Sequence, residues 1–182
     1  MISDPFLEQL ATAFERGWLE SFRLAATTTG LDIALLLAIA SRESGIRNIT
    51  GDHGRGFGIM QVDIGTDPQA EGNGLDPKWN IARGAEILLE KRRWIMDHAG
   101  KTATLSYHAA RLEFLIPESI TQVSDFERLW IAGYNAGAWP VYHYLQGKDP
   151  DYPTTGKNYS ADVIARRDVF GRWLAEIHEF CK

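Results

Sequence analysis

A chain of 182 residues, 45% apolar and 24% charged, can bury one sizeable core and has the composition of an ordinary globular protein. Its net charge of −5 and sequence pI near 5.5 argue against a nucleic-acid binder, which usually carries a basic face. The same charge removes simple electrostatic adhesion to an anionic wall or membrane, so recognition has to come from a shaped cleft.

The single cysteine, Cys181, has no intramolecular partner, so no disulfide framework is available. The longest strongly apolar stretch, Ile33 to Ala40, falls far short of the roughly 20 residues that span a bilayer, and no membrane insertion is expected. Met1 to Leu10 carries Asp4, Pro5 and Glu8 and lacks a basic region followed by an apolar one. It reads as no secretory signal, which leaves the export route open. No repeat, low-complexity tract or linker is visible, so residues 1–182 read as a single domain.

Asp4-Pro5 is a good helix start. Phe6, Leu10, Phe14, Trp18 and Phe22 then recur every four residues, which predicts one amphipathic helix broken at Thr27-Thr28-Thr29-Gly30. A second helix, from about Leu31 to about Glu43, is apolar almost all round and should be central. Six of the 17 glycines lie between Gly45 and Gly65, so regular helix is not expected there, although Phe57 to Val62 fits a short strand. Asn80 is a candidate cap for a third helix through Ile81, Ala85, Leu88 and Ile95, stopping at Gly100. The segment 101–123 is ambiguous, with a helical reading for Tyr107 to Leu115. Ser124-Asp125-Phe126-Glu127 reads as a capping box opening a helix toward Tyr134-Asn135-Ala136-Gly137. Trp139-Pro140 starts a short helix ending by Gly147, Asp149 to Lys157 is loop, and Ser160 caps a last helix. The prediction is a mainly α fold with at most a small sheet.

The chemistry concentrates between Ser41 and Asp63. Glu43 follows the apolar run Ile33 to Ala40, and desolvation by such neighbours favours a protonated carboxyl. A protonated glutamate can donate to a leaving-group oxygen, the general-acid role in glycoside hydrolysis. The alternative is a helix-end glutamate paired with Arg42 or Arg47. Asp52 and Asp63 bracket a loop whose Gly54, Gly56 and Gly58 let backbone approach a ligand. A second carboxylate roughly 6.5–9.5 Å from the acid leaves room for water and implies inversion, whereas roughly 5 Å implies a covalent nucleophile. The alternative is that Asp52 caps a turn and Asp63 ends a strand. Asp52, His53, Asp63 and Asp67 lack a second histidine at ligand spacing, so no metal site is expected. His98, His108, His143 and His178 form no constellation, and no G-x-S-x-G motif is present. The aromatics Trp79, Trp94, Trp130, Trp139 and Tyr134 could stack on sugars or simply fill core.

Taken together, Ser41-Arg42-Glu43-Ser44, the loop from Gly51-Asp52 through Gly56-Phe57-Gly58-Ile59-Met60-Gln61-Val62-Asp63, and Tyr134-Asn135-Ala136-Gly137 resemble the goose-type lysozymes, relatives of the soluble lytic transglycosylases. Thr154-Thr155-Gly156, Tyr159 and Ala161 to Arg166 resemble the C-terminal part of the same pattern. The resemblance runs in order over 29–170, with 1–28 as a preceding helix. It implies a lysozyme-like α+β fold in which a central apolar helix ends in the catalytic glutamate, beside a small sheet and glycine-rich loop. It also implies cofactor-free, inverting hydrolysis of the β-1,4 bond between N-acetylmuramic acid and N-acetylglucosamine in peptidoglycan. By position Glu43 matches the family's acid, and Asp63 and Asp52 match the aspartates that hold or activate water, with Asp63 the first choice of base. Gly58, Ile59, Met60 and Gln61 match cleft-lining residues, Tyr134 and Asn135 a pair facing the catalytic centre, and Tyr159 a further cleft tyrosine. The implied partners are peptidoglycan strands and a proteinaceous lysozyme inhibitor, with the chain a monomer acting at the cell wall. The chain departs from the family in lacking the disulfide-bearing extension of secreted vertebrate members, in carrying Asp67 where His is frequent, and in the segment from Thr102 to Ser124. The rival readings are a lytic transglycosylase, which needs Glu43 alone and leaves 1,6-anhydro ends, and a non-catalytic peptidoglycan-binding module.

Overall fold

The computed structural model describes residues 4–107 and 110–180. His108 and Cys181 lie outside the described residues, as do the side chains of residues 107 and 178–180. Contacts divide the chain into two compact units, one of 1–86 with 162–182 and one of 87–161.

In the first unit, α1 (Pro5–Glu15) begins where the sequence predicts, with the Asp4 carboxylate accepting the Phe6 N–H at 2.9 Å. The single helix expected through Phe22 is instead two. The chain breaks at Gly17, whose φ of +71° glycine adopts without strain, and α2 (Trp18–Thr29) starts afresh. The break rotates the apolar pattern, leaving Phe14 71% exposed while Leu10, Ala13, Leu19 and Phe22 turn inward. Next comes α3 (Ile33–Ser44), capped by Asp32 through the Ala34 N–H at 2.9 Å. Leu36 through Ala40 have no exposed surface, so this helix is central, as its all-round apolarity requires.

Three short strands follow, β1 (Ile49–Gly51), β2 (Gly56–Gly58) and β3 (Val62–Asp63), forming an antiparallel sheet in chain order. Ile49 lies opposite Gly58 and Gly56 opposite Asp63. The strand expected over Phe57 to Val62 is therefore the end of one strand, a tight turn and the start of another. Gly58 at φ +75° and Gln61 at φ +49° make that turn. After the short α4 (Ala70–Asn73), α5 (Pro77–His98) begins three residues before the expected cap. Asp76 accepts the Lys78 N–H and Pro77 takes the first helical position, which leaves the Asn80 side chain free for another task. From α8 (Tyr159–Phe180), Val163 and Phe170 are fully buried, and Phe170 meets Phe6 edge-on at 5.9 Å.

In the second unit, the helical reading of Tyr107 to Leu115 is overturned. β4 (Thr102–Tyr107) and β5 (Ala110–Leu115) pair antiparallel, with Thr102 opposite Leu115 and Ala103 opposite Phe114. Polar and apolar residues alternate along Thr102–Tyr107 and from Ala110 to Phe114, the two-residue period of a half-buried ribbon. Next, α6 (Phe126–Ala136) starts without the expected capping box. Its flanking Asp125 makes no cap bond and instead pairs with Arg128. After α7 (Trp139–Leu145), a loop leads to α8, whose start is capped from that loop rather than by Ser160. The fully buried Asp151 carboxylate accepts the Ser160 N–H at 2.7 Å and the Ala161 N–H at 3.1 Å. Among the described residues the architecture is thus mainly α with two small antiparallel sheets.

Candidate active site

The first unit holds Glu43, Asp52, Asp63 and the segment Gly58 to Gln61. Glu43 sits half-buried in the last turn of α3, whose end is fixed by a glycine cap. Gly45 lies in the left-handed region, and the Gly45 and Ile46 N–H groups donate to the Ser41 and Ala40 carbonyls. Ser44 joins this turn to the sheet, its Oγ donating to the Ile59 carbonyl at 2.8 Å and accepting the Arg47 N–H at 3.0 Å. One residue after the glutamate, the helix end is thus bonded to the glycine-rich turn.

A charged network holds the same turn. Arg42 lies 3.3 Å from the Asp162 carboxylate, which also accepts the Arg166 Nε at 2.7 Å, and Arg166 Nη1 donates to Ser41 Oγ at 2.7 Å. Sequence reasoning missed these partners because they lie some 120 positions away along the chain. The only local signal was an arginine at each end of the pattern.

The glycine-rich turn is shaped from inside. Ile59 and Met60 have no exposed surface, backbone included, so their contribution to any ligand site is the shape of the turn. Asn80, fully buried, spans the turn: its Oδ1 accepts the Met60 N–H and its Nδ2 donates to the Phe57 carbonyl, both at 2.7 Å. The Gln61 amide folds inward and donates to the carbonyls of Ile49 and Gly58. Met60 in turn leaves no room at Gly84, where a Cβ would stand 2.5 Å from the Met60 Cβ.

The two aspartates differ. Asp63 is half-buried, paired with Arg55 through two contacts of 3.2 Å, and also accepts the Gly65 N–H at 2.7 Å. Asp52 is exposed at φ +45°, followed by His53 at φ +52°, a strained pair at the tip of the turn. Asp67 is buried and bonded to Arg83, and that hydrogen bond, with one from the Gln69 N–H, holds its carboxyl below the usual range despite burial. Its charge is thereby engaged in structure. Among the described residues no group of three acidic, histidine or cysteine side chains is arranged to hold a metal ion.

The second unit holds Tyr134, Asn135 and Tyr159. Tyr134 is half-buried at the end of α6, and the exposed Asn135 accepts the Thr155 N–H on its Oδ1 at 2.9 Å. Tyr159 is only 2% exposed at the start of α8. The loop between is locked by Arg128, which reaches both Asp149 and Asp151. In sequence this stretch reads as plain loop, and the cluster of Asp149, Asp151 and Thr154 is the signal it offers.

No protein-family profile matches the chain. Individual proteins do. It is 30% identical over 168 residues to a lysozyme g of Takifugu rubripes, covering 81% of this chain and 73% of that protein. It is 29% identical to the lysozyme G of Dromaius novaehollandiae and 30% identical to the lysozyme g of Struthio camelus, in each case over 77% of this chain. The chain spans 59% of the length of those two relatives. Among solved structures, the lytic transglycosylase Slt of Pseudomonas aeruginosa superposes with a TM-score of 0.58 over 86% of this chain and 24% of that one, at 18% identity. The fold is therefore the lysozyme-like fold shared with a lytic transglycosylase.

Proposed function

Because this chain belongs to the lysozyme g family, we propose that it is a glycoside hydrolase of the bacterial cell wall, a muramidase cutting the β-1,4 bond between N-acetylmuramic acid and N-acetylglucosamine with inversion. Residues 1–182 are taken as one catalytic domain. Glu43 is the general acid, Asp63 activates the attacking water with Asp52 assisting, and the site needs no cofactor.

The observation that carries this reading is the bonded pair of segments. The last turn of α3, with Glu43, is tied through Ser44 to the turn that leads into Asp63. A carboxyl in the last helical turn meets the negative end of the helix dipole, which favours the neutral acid needed for proton donation. The Arg55 and Gly65 bonds hold the Asp63 carboxylate in one orientation, which suits a group that must aim a water. Gly58 to Gln61, Tyr134, Asn135 and Tyr159 form the glycan site, the buried Gly58, Ile59, Met60 and Tyr159 by shaping it and Gln61, Tyr134 and Asn135 through exposed atoms. The site of action is the cell wall, and no helix of the described residues is long and apolar enough to cross a membrane.

One observation favours a second reading, lytic transglycosylation. Arg55 already occupies both oxygens of Asp63, and a route that needs Glu43 alone is indifferent to that pairing. Mass spectrometry of digested peptidoglycan separates the two: reducing muramic ends support the hydrolase, and mainly 1,6-anhydro ends refute it. Glu43→Gln is expected to abolish turnover while sparing glycan binding. Asp63→Asn should lower kcat by about 10²–10⁴, the usual worth of a general base, and Asp52→Asn by less. Near-wild-type rates for both aspartate variants would defeat the two-aspartate mechanism.

A further inference from the structure

Asp162, in the first turn of α8, is the acceptor at the centre of the network behind Glu43. It accepts the Arg166 Nε at 2.7 Å and lies 3.3 Å from Arg42 Nη1. With another nitrogen, Nη1, Arg166 donates to the buried Ser41 Oγ at 2.7 Å. Its guanidinium also stands 5.3 Å from the centroid of the Phe6 ring, which meets Phe170 edge-on. Helices α1, α3 and α8 thus converge on one arginine, and all of these residues belong to the first unit.

Docking of α8 does not depend on this network. Val163 and Phe170 are fully buried and already seat the helix. The side chains of Arg42, Asp162 and Arg166 keep 23%, 26% and 20% of their surface exposed, so the pairs between them add little net stability. What a connected polar network does impose is a single arrangement. Its two contacts on α3 are Ser41 and Arg42, the residues just before Glu43, and just after it Ser44 is bonded to the Ile59 carbonyl. The glutamate is bracketed by one anchor on α8 and another on the glycine-rich turn.

We propose that Asp162 is a positioning residue for Glu43, holding Arg42 directly and Ser41 through Arg166 so that the last turn of α3 presents the glutamate carboxyl in one place. This inference rests on the function proposed above, in which Asp162 acts through the turn and not on the glycan. Misplacing a reacting group by about 1 Å costs on the order of 10²-fold in rate. The residues assigned to the glycan site make no contact with Asp162, so the loss falls on kcat and spares KM.

The test compares full-length wild type, Asp162→Asn, Ser41→Ala, their double variant and Leu19→Ala on soluble glycan strands, at a temperature where each remains folded. Asp162→Asn should lower kcat by about 10–10²-fold with KM within about twofold of wild type. Ser41→Ala removes only the Arg166 arm, so its smaller loss should vanish in the Asp162→Asn background, where that arm is already released. Leu19→Ala opens the buried face of α2 in the same unit, outside the network, and should leave kcat unchanged. Wild-type kcat for Asp162→Asn, a raised KM with kcat retained, additive losses in the double variant, or an equal kcat loss for Leu19→Ala would overturn the assignment. Amide hydrogen exchange keeps the two readings apart. The Gly45 and Ile46 N–H groups close the end of α3, and Asp162→Asn should speed their exchange by roughly tenfold or more. A wild type that releases no sugar ends while this local effect persists defeats the functional reading, whereas an active wild type whose exchange and kcat both ignore Asp162→Asn defeats the positioning role alone.

Discussion

Replacing Asn80 with Ala should cost more stability than any other single polar truncation in the glycine-rich turn. Asn80 is fully buried, and its amide makes two 2.7 Å bonds, accepting from the Met60 N–H and donating to the Phe57 carbonyl. Alanine removes both partners and leaves the Met60 N–H without water, since Met60 itself has no exposed surface. A buried donor left unsatisfied costs about 1–3 kcal/mol, and the Phe57 carbonyl, only partly buried, adds a smaller share. The total is about 2–4 kcal/mol, a large part of the roughly 5–15 kcal/mol that holds a domain folded. At roughly 2–4 °C per kcal/mol for a chain of this size, the melting temperature should fall by about 5–15 °C.

Thermal and urea unfolding of wild type, Asn80→Ala and Asn80→Asp would check this. The aspartate can still accept from Met60 but cannot donate to Phe57, and it brings a charge into a closed site, so it should rescue little. The turn carries Gly58 to Gln61 and leads into Asp63, so activity at a temperature where both variants remain folded should fall as well. A loss under about 1 kcal/mol for Asn80→Ala would refute the view that this amide holds the turn.

Two further outcomes follow from the same logic. Asp151→Ala should destabilise the second unit by about 3–5 kcal/mol, because it strips the Ser160 and Ala161 N–H groups of their acceptor and leaves Arg128 without its buried partner; unfolding followed by tryptophan fluorescence reads this out. Acid should unfold the chain as two carboxylates are protonated. The hydrogen bond from Arg83 depresses Asp67, and that from Arg128 depresses Asp149, so the stability each contributes is complete above the ordinary aspartate value of 3.8 and is lost as pH falls through its lower folded value. Arg83→Gln and Arg128→Gln should each flatten that acid limb in a pH series of unfolding midpoints.

Much of the first unit was legible because its signals are local. Asp4 and Asp32 cap helices two residues away, and the run Leu36 to Ala40 is apolar on every side, so α1 began and α3 lay where the pattern placed them. The misreadings came where a local pattern had two solutions. The four-residue aromatic spacing continues unbroken across Gly17, and only the positive φ there reveals the break. The hairpin was missed although Thr102 to Leu105 alternates, because Leu112 and Leu115 also suit a helix ending at Pro117. Asn80, Asp151 and Asp162 were illegible for another reason. Their partners lie 20 residues away for Met60, 9 for Ser160 and about 120 for Arg42, and no periodicity encodes such pairs.

The glycines of the motif are the point where sequence and structure give different reasons for the same residues. In sequence they suggest backbone made available to a ligand. In the fold, a Cβ at Gly51 would stand 2.2 Å, and one at Gly56 2.7 Å, from the Gln61 Oε1, so these two glycines make room for an inward-folded side chain. At Gly58 a Cβ would stand 2.2 Å from the Gly74 carbonyl and 2.4 Å from the Asn80 amide, so this glycine is required by the Asn80 clamp as well as by its φ of +75°. The turn is therefore packed from within by Gln61, Asn80 and Met60, and this packing sets the course of the backbone from Gly58 to Asp63. A ligand that uses this backbone meets a surface whose shape is determined behind it. Substitutions of the glycines should then act first on folding of the turn and only through it on binding, a different order of effects from that of a flexible ligand-covering loop.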